Sequence, residues 1–306
     1  MPCFNPLTAY QAAMPDSAGK RSVIFNKSKA HDHREIKLPC GQCVGCRLER
    51  SRQWAIRCMH EAQMHKKNCF ITLTFSPEEL EKRPNQWSLD VREFQLFMKK
   101  LRKKFGKGIR FYHCGEYGEK NKRPHYHACI FGFDFPDKQL WKVTPTGHRL
   151  YTSKELEKLW PQGFSTIGDV TFESAAYVAR YIMKKITGKN AENYYEWIDA
   201  TTGEIRNLKP EYNTMSRRPG IGRSWLQKYK SDVYPRDYVI VNGKKCRPPK
   251  YYDGQLKTDR PYEFEEILYN RQKNAEKHID NNTPERLKVR EAVQTAKLKL
   301  LPRSAT

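Results

Sequence analysis

Two histidines in a short β-forming run constrain this chain more than any other feature of its sequence. His125 and His127 lie in the stretch GEYGEKNKRPHYHACIFG, Gly115–Gly132, among residues that favour a strand, such as Tyr126 and Ile130. Side chains two apart on a strand project from the same face, so the two imidazoles should lie side by side. That spacing would allow both to bind one metal ion.

A second strand immediately upstream is expected to bring a carboxylate to this pair. The segment IRFYHCGEYG, residues 109–118, has strand character and includes Glu116. The linking residues GEKNKRP favour a turn, so the two strands should pair as a hairpin that returns Glu116 to the histidines. Two histidines and one carboxylate that leave coordination positions open are typical of a catalytic metal site rather than a closed structural one.

Three closely spaced cysteines indicate a second metal site. Cys40, Cys43 and Cys46 follow a C-x2-C-x2-C pattern on a glycine-bearing turn, which suits a structural tetrahedral Zn²⁺. An iron–sulfur cluster also uses closely spaced cysteines, although this run lacks the full ferredoxin pattern. The chain has nine cysteines, and an odd, clustered set favours a metal site in a reducing cytoplasm over a disulfide framework. Cys3 is the first candidate for the fourth ligand, and Cys58 and His60 are the alternatives.

A helix carrying two tyrosines is the other candidate chemical element. The segment ESAAYVARYIMKKITG, Glu173–Gly188, places Tyr177 and Tyr181 four apart, on one helical face, with Lys184 three residues further. A phenol has a pKa of about 10 and is a poor nucleophile unless a cation or metal assists it, a role open to Lys184. Alternatively, both tyrosines are ordinary half-buried helix residues. In combination with a metal site, the tyrosines are more specifically interpreted as nucleophiles that attack DNA.

The charge of the chain favours a polyanionic partner. Lys and Arg number 57 against 34 Asp and Glu, a net charge of +23, and aromatic residues make up 12%. Rings beside cations suit single-stranded nucleic acid, because bases stack on rings while cations contact phosphates. Charge alone does not separate an enzyme from a coating protein. The residues predicted to contact DNA are Arg47, Arg50, Arg123, Lys185, Arg217 and Arg218.

The rest of the chain carries weaker signals. Residues 1–37 are expected to be an extended or irregular lead, residues 69–75 a central strand, residues 134–161 a looser connection with one short helix, and residues 261–301 one or two exposed helices. The chain has no P-loop, which argues against an ATP-driven helicase. It has no apolar run long enough to span a membrane and no signal-peptide core, so a soluble protein is expected.

Three segments together resemble a known family. FITLTF, RPHYHACIFG and YVARYIMKK, in that order, are similar to the motifs of the rolling-circle replication initiators, the HUH endonucleases. MPCFNP, PCGQCVGCRLERSRQWAIRC and MSRRPGIG resemble segments of the initiators of microviruses, especially the gokushovirus branch. The resemblance implies an α+β fold: a central antiparallel sheet with flanking helices, an N-terminal Cys-rich segment and a basic helical C-terminal region. The expected domains are residues 1–66, 67–190 and 191–306.

The resemblance also implies ligands and an activity. His125 and His127 would bind Mg²⁺ or Mn²⁺, with Glu116 as the third ligand and Glu119, in the turn, as its substitute. The metal would polarise a scissile phosphate. A tyrosine would attack that phosphate and leave a 5′-phosphotyrosyl link and a free 3′-hydroxyl.

Phage initiators of this type use two tyrosines in turn, an arrangement that Tyr177 and Tyr181 match, and Tyr181-x-x-Lys184 also matches the single-tyrosine form of the motif. The chain would then be a site-specific nickase and strand-transfer ligase acting on single-stranded and replicative-form viral DNA at the origin. Host polymerase and helicase would be its partners, in the cytoplasm of a bacterial host. The alternatives are a transposase or plasmid relaxase of the same chemistry, or a non-catalytic, zinc-containing nucleic-acid-binding protein.

Overall fold

The computed structural model describes residues 3–17, 19–83, 87–118, 122–181, 194–198 and 203–300. These residues form an α+β protein built on a large antiparallel sheet with helices, as predicted. The chain divides into two compact units. One contains the described residues of Met1–Arg50 and Tyr269–Arg303, and the other contains those of Ser51–Leu268. The domain boundaries expected from the sequence stay a prediction.

The elements are numbered in chain order. The strands are β1 (Leu7–Pro15), β2 (Arg21–Ile24), β3 (Ile36–Leu38), β4 (Asn68–Leu73), β5 (Arg110–Tyr117), β6 (Pro124–Phe131), β7 (Gln139–Val143), β8 (Arg149–Thr152), β9 (Ser165–Gly168), β10 (Glu196–Ile198), β11 (Ile205–Asn207), β12 (Tyr212–Met215), β13 (Val239–Val241) and β14 (Lys244–Cys246). The helices are α1 (Val44–Gln63), α2 (Pro77–Lys82), α3 (Val91–Phe105), α4 (Lys154–Leu159), α5 (Phe172–Tyr181), α6 (Arg223–Val233), α7 (Lys250–Asp259), α8 (Pro261–Glu276) and α9 (Pro284–Lys299). Short 3-10 helices cover Lys27–Lys29 and Ile279–Asn282.

Seven strands form the main sheet, in the order β12-β5-β6-β4-β9-β8-β7, and every neighbouring pair is antiparallel. β4 lies in the middle of this sheet, as its sequence predicts. Its buried side chains alternate with half-buried ones, since a strand presents successive residues to opposite faces. The pairings fix which side chains share a face with the two histidines.

The main sheet has an apolar core on each face. On one face, α3 and α4 pack against residues such as Leu73, Tyr126 and Ile130. On the other face, α1 and α5 pack against residues such as Cys114 and Phe131. α3 begins where the Asp90 side chain accepts a hydrogen bond from the backbone amide of Arg92, an N-cap that satisfies one of the free amides of the first turn. The apolar residues that α3 buries are Phe94, Phe97, Met98 and Leu101.

Three segments differ from the sequence expectations. The lead of residues 1–37 is more ordered than expected, because β1, β2 and β3 form a small antiparallel sheet in the order β2-β1-β3. The expected looser connection of residues 134–161 contains the β7–β8 hairpin in addition to α4. The C-terminal region, expected to be helical, also supplies β12 to the edge of the main sheet. Among the described residues, no helix is long and apolar enough to cross a bilayer.

Candidate active site and cysteine cluster

The predicted hairpin is formed by β5 and β6, and it brings the three predicted metal ligands to one face. Glu116 lies directly opposite His125, and Cys114 lies opposite His127. Directly opposed residues of an antiparallel pair project to the same side, as do residues two apart on one strand. The face that carries Glu116, His125 and His127 is the one that α5 covers. Glu119, the alternative carboxylate, lies outside the described residues.

His127 is held through both of its ring nitrogens. Its Nε2 lies 2.7 Å from Oε1 of Glu116, and its Nδ1 lies 3.0 Å from Oγ1 of Thr72 on β4. Both His127 and Glu116 are buried, with exposed fractions of 1% and 4%. Thr72 was not predicted as a site residue. It lies in the FITLTF motif, opposite His127 across the β4–β6 pairing, and that pairing is the signal that would have identified it.

His125 lies at the more exposed edge of the site. Its Nδ1 donates a hydrogen bond of 2.8 Å to the backbone carbonyl of Arg123, because a carbonyl oxygen can only accept. This bond places the ring proton on Nδ1 and leaves the lone pair on Nε2, the arrangement that a ligating histidine needs. Burial, and secondarily the nearby His127, lower the pKa of His125 to about 4. The ring is therefore neutral at neutral pH and competent to bind a metal.

Tyr177 of α5 reaches the same carboxylate. Its hydroxyl donates to Oε1 of Glu116 at 3.4 Å, and its ring meets the His127 ring edge-on with centroids 5.1 Å apart. Tyr181 is the last residue of α5, one helical turn beyond Tyr177, and its side chain is not described. Lys184, Lys185 and the predicted helix end at Gly188 lie outside the described residues.

The donor set fits a divalent metal ion. Imidazole and carboxylate ligands together suit ions such as Mn²⁺, whereas Mg²⁺ prefers oxygen ligands. The two histidine rings are nearly parallel, with centroids 6.3 Å apart. The ligand atoms of this trio do not all lie within 4.8 Å of one another, in contrast to those of the cysteine cluster. For all three residues to bind one ion, their ligand atoms would therefore have to move closer together.

The structure brings Cys3 to the three cysteines of the C-x2-C-x2-C segment. The Sγ atoms of Cys3, Cys40, Cys43 and Cys46 all lie within 4.8 Å of one another. Four thiolates around Zn²⁺ at about 2.3 Å would be separated by about 3.8 Å, so this cluster could hold a metal such as zinc after slight contraction. All nine cysteines are free thiols. The alternative fourth ligands have other contacts: Cys58 packs in the core beside α5, and His60 bonds to the Tyr252 hydroxyl.

Backbone amides point at the sulfurs of this cluster. The amide of Cys40 donates to Sγ of Cys3, the amide of Cys43 to Sγ of Cys40, and the amide of Phe4 to Sγ of Cys43, each at 3.3 Å. Burial opposes a charge on Cys43, but the amides of Phe4 and Cys46 outweigh it and lower the pKa of Cys43 to about 7. Burial raises the pKa of Cys3 and Cys46. Gly41 permits the turn because its φ is +75°.

The predicted DNA-contacting arginines are dispersed rather than gathered at the histidines. Arg217 and Arg218 are exposed on the loop after β12. This loop lies beside Arg110 of β5, whose guanidinium donates a hydrogen bond of 2.6 Å to the carbonyl of Pro219. Glu116 lies six residues further along β5, so this loop is about 20 Å from the candidate metal ligand Glu116. Arg123 lies next to the site in the turn before β6, Arg50 is exposed on α1, and Arg47 is half-buried there.

Comparison with known proteins identifies relatives across most of the chain. A family model described as replication-associated protein ORF2/G2P matches residues 68–186, a segment that includes the His125–His127 strand and α5. Replication-associated protein VP4 of Bdellovibrio phage phiMH2K is 34% identical over 276 residues, which cover 87% of this chain and 80% of the relative. No solved structure matches the chain.

Two further phage proteins extend this set. Replication-associated protein ORF2 of Spiroplasma virus 4 is 34% identical over 282 residues, covering 86% of this chain and 83% of the relative. Replication-associated protein ORF4 of Chlamydia phage 1 is 28% identical over 244 residues, covering 76% of this chain and 57% of the relative. The chain therefore belongs to the family of phage replication-associated proteins, and these matches support a role as a phage replication initiator.

Proposed function

We propose that the chain initiates rolling-circle replication by nicking the origin of viral replicative-form DNA through a tyrosine attack assisted by a metal. The observation that carries this proposal is the shared oxygen of Glu116. Its Oε1 lies 2.7 Å from Nε2 of His127 and accepts the hydroxyl of Tyr177 at 3.4 Å. A candidate nucleophile and the candidate ligands thus meet on one face of the sheet.

His125, His127 and Glu116 would hold Mn²⁺ or Mg²⁺. When bound, the ion would polarise the scissile phosphate. The phenol oxygen of Tyr177 attacks the phosphorus, and the bond from phosphorus to the 3′ oxygen breaks. The phenol proton passes towards Glu116 Oε1, its hydrogen-bond acceptor, and the 3′ oxygen takes a proton from water and leaves as a hydroxyl. The products are a 5′-phosphotyrosyl link and a 3′-hydroxyl from which host polymerase can extend.

Rejoining uses the same groups in the opposite direction. A second attack, by a 3′-hydroxyl on the phosphotyrosyl link, restores a phosphodiester and releases the phenol. Tyr181, one helical turn from Tyr177, would accept the new 5′ end as each circle is released. This alternation gives the chain strand-transfer and ligase activity in addition to nicking. Viral single strands and the replicative form are the DNA partners, in the cytoplasm of the host cell.

A covalent-adduct assay tests the proposal. Labelled single-stranded oligonucleotides that tile the viral strand are incubated with the protein and Mn²⁺ and resolved on a denaturing gel. We expect a covalent protein–DNA band and a nicked product ending in a 3′-hydroxyl. Retardation on native gels without any covalent band would instead favour a non-catalytic DNA-binding protein.

Histidine variants in the same assay test the site assignment. His125→Ala and His127→Ala should each lower the nicking rate by at least about 100-fold, because each removes a proposed metal ligand. DNA affinity should be largely unchanged, since it comes from dispersed lysines and arginines. Metal-dependent cleavage that persists in the double variant would show that the site lies elsewhere.

A further inference from the structure

An exposed pair of aromatic rings lies near the far edge of the main sheet. Trp141 of β7 and Phe164, just before β9, are each 48% exposed, and their ring centroids are 5.0 Å apart. The ammonium of Lys142 lies 4.4 Å from the centre of the Trp141 ring. The surface formed by Trp141, Lys142 and Phe164 is here called the aromatic platform. The proposed tyrosine chemistry makes no use of it.

Strand register places the platform on the same face as the histidines. Thr72 contacts His127 and lies opposite Thr166 of β9, so Thr166 and Phe164, two residues before it, share that face. Trp141 joins them because it packs on Phe164. The β7–β8 pairing is irregular between Leu140 and Lys142, and an extra residue at such a bulge redirects a side chain.

The same pairings place the platform at the same end of the sheet as the histidines. Leu73 of β4 lies opposite Tyr126 on one side and Ser165 on the other. The next residue, Thr74, continues the second pairing, because its amide and hydroxyl donate to the Phe164 carbonyl at 3.0 and 2.8 Å. Phe164 is therefore level with His125 and two strand spacings away, about 10 Å. These bonds also fix the backbone that carries the ring.

The chemistry of the platform fits a single strand of nucleic acid. The hairpin of residues 139–152 carries Lys142 and Arg149 and has no acidic residue. Exposed rings beside cations bind bases by stacking while the cations neutralise phosphates. The side chains between the platform and the histidines, Thr74 and Thr166, are small and half-buried, so they leave the sheet surface low between the two sites.

We infer that the aromatic platform stacks bases of the single strand whose phosphate lies at the His125–His127 site. The inference rests on the proposed function for the identity of that strand. The platform would fix the position of the strand along the sheet face. Trp141 and Phe164 act through base stacking, and Lys142 and Arg149 act through the phosphates.

Binding of a plain oligonucleotide by the full chain without metal tests this inference separately from the chemistry. The probe is a fluorescent oligo-dT, measured by anisotropy. Trp141→Ala and Phe164→Ala should each weaken binding by about 5-fold to about 150-fold, the usual range for one stacked base. Phe164→Trp should retain affinity. Leu140→Ala is the matched control, because Leu140 is 58% exposed on the same strand but lies on the opposite face of the sheet. Leu140 pairs with Tyr151, and Tyr151 pairs with Ile167, which is buried in the core on that opposite face.

Salt dependence separates the two kinds of contact. Lys142→Ala should reduce the slope of log affinity against log salt by about 1, whereas Trp141→Ala should leave that slope unchanged. Wild-type affinity in both aromatic variants would overturn the inference, even if covalent adducts form. A change of oligomeric state in Trp141→Ala with DNA binding intact would also overturn it and identify a self-association surface. If the aromatic variants bind the oligonucleotide more weakly but the wild-type protein forms no covalent adduct, the aromatic platform is supported and the proposed nicking activity is refuted.

Discussion

One oxygen atom of Glu116 contacts two side chains of the candidate site. His127 and Tyr177 both meet its Oε1, so the position of this carboxylate links the candidate ligand to the candidate nucleophile. The hairpin register made the meeting of Glu116 with the histidines predictable from sequence, because a short turn between two strands fixes which residues oppose each other. The sequence suggested Tyr177 as a nucleophile, but it could not predict the contact of Tyr177 with Glu116, because that contact depends on how α5 packs on the sheet.

Thr72 should control how well His127 binds metal. Thr72→Val keeps the size of the side chain but removes the hydroxyl that lies 3.0 Å from His127 Nδ1. Loss of a group that orients a ligating histidine typically weakens metal affinity 10-fold to 100-fold, and we expect a shift of about that size. The measurement is the Mn²⁺ concentration that gives half-maximal adduct formation.

The matched control for this prediction is Thr72→Ser, which retains the hydroxyl and should behave as the wild type. Oligonucleotide affinity without metal should be the same in both variants. An unchanged Mn²⁺ requirement in Thr72→Val would show that His127 is oriented by its other contacts alone.

At the scale of elements, α5 carries the proposed alternation of nucleophiles. Its buried residues Ala175, Val178 and Ala179 pack against the sheet. The Ser51 hydroxyl donates a hydrogen bond of 2.9 Å to the carbonyl of Ala176. These contacts hold the helix over β5 and β6 and present Tyr177 to Glu116. Tyr181 follows on the same helix at a four-residue spacing, so a modest shift would exchange one hydroxyl for the other.

Tyr177→Phe or Tyr181→Phe alone should still form covalent adduct, and the double variant should form none. Complete replication cycles that release circles should need both hydroxyls, because one tyrosine holds the 5′ end while the other attacks. Mass spectrometry of the DNA-linked peptide from each variant identifies the residue that is used. If one single variant loses all adduct while the other completes normal cycles, then only one tyrosine is catalytic and its partner is a packing residue.

The sequence did not predict two parts of the main sheet, β12 and the β7–β8 hairpin, and for different reasons. β12 has a short, unremarkable sequence and becomes a strand by pairing with β5, almost a hundred residues earlier in the chain. The β7–β8 hairpin was missed because its exposed strand β7 lacks the alternation of buried and exposed residues that marks a half-buried strand. β4 was predictable because the run CFITLTF, residues 69–75, is rich in β-forming residues and is followed by Ser76-Pro77, which stops a strand.

At the scale of the whole molecule, the cysteine cluster is the clearest candidate metal site among the described residues. Cys40→Ser, Cys43→Ser or Cys46→Ser should lower bound zinc and thermal stability together. Loss of a structural zinc site can remove several kcal/mol of folding free energy, against a typical total of roughly 5–15 kcal/mol. Elemental analysis of reductively purified protein, paired with thermal unfolding, measures both quantities.

Cys246→Ser is the matched control, since Cys246 is half-buried and is not part of the cluster. It should change neither the zinc content nor the midpoint of unfolding by more than a small amount. Purified wild-type protein that contains no zinc, or iron in its place, would contradict the zinc assignment. The spacing of three cysteines predicted this site, and Cys3 was predictable only as one of several candidates because its approach depends on the tertiary fold.

The cover of the cysteine cluster has a consequence for biosynthesis. Leu287 of α9 is buried together with Cys3, Phe4 and Cys43, and Glu291 accepts a hydrogen bond from the Asn5 side chain at 3.1 Å. About 240 residues separate Cys46 from Leu287 in the chain. At about 5–20 residues per second, the ribosome needs roughly ten to fifty seconds to reach the helix that covers the thiols. During that interval the nascent cysteines are open to zinc and to oxidants alike, so early binding of the proposed zinc would protect them before α9 is made.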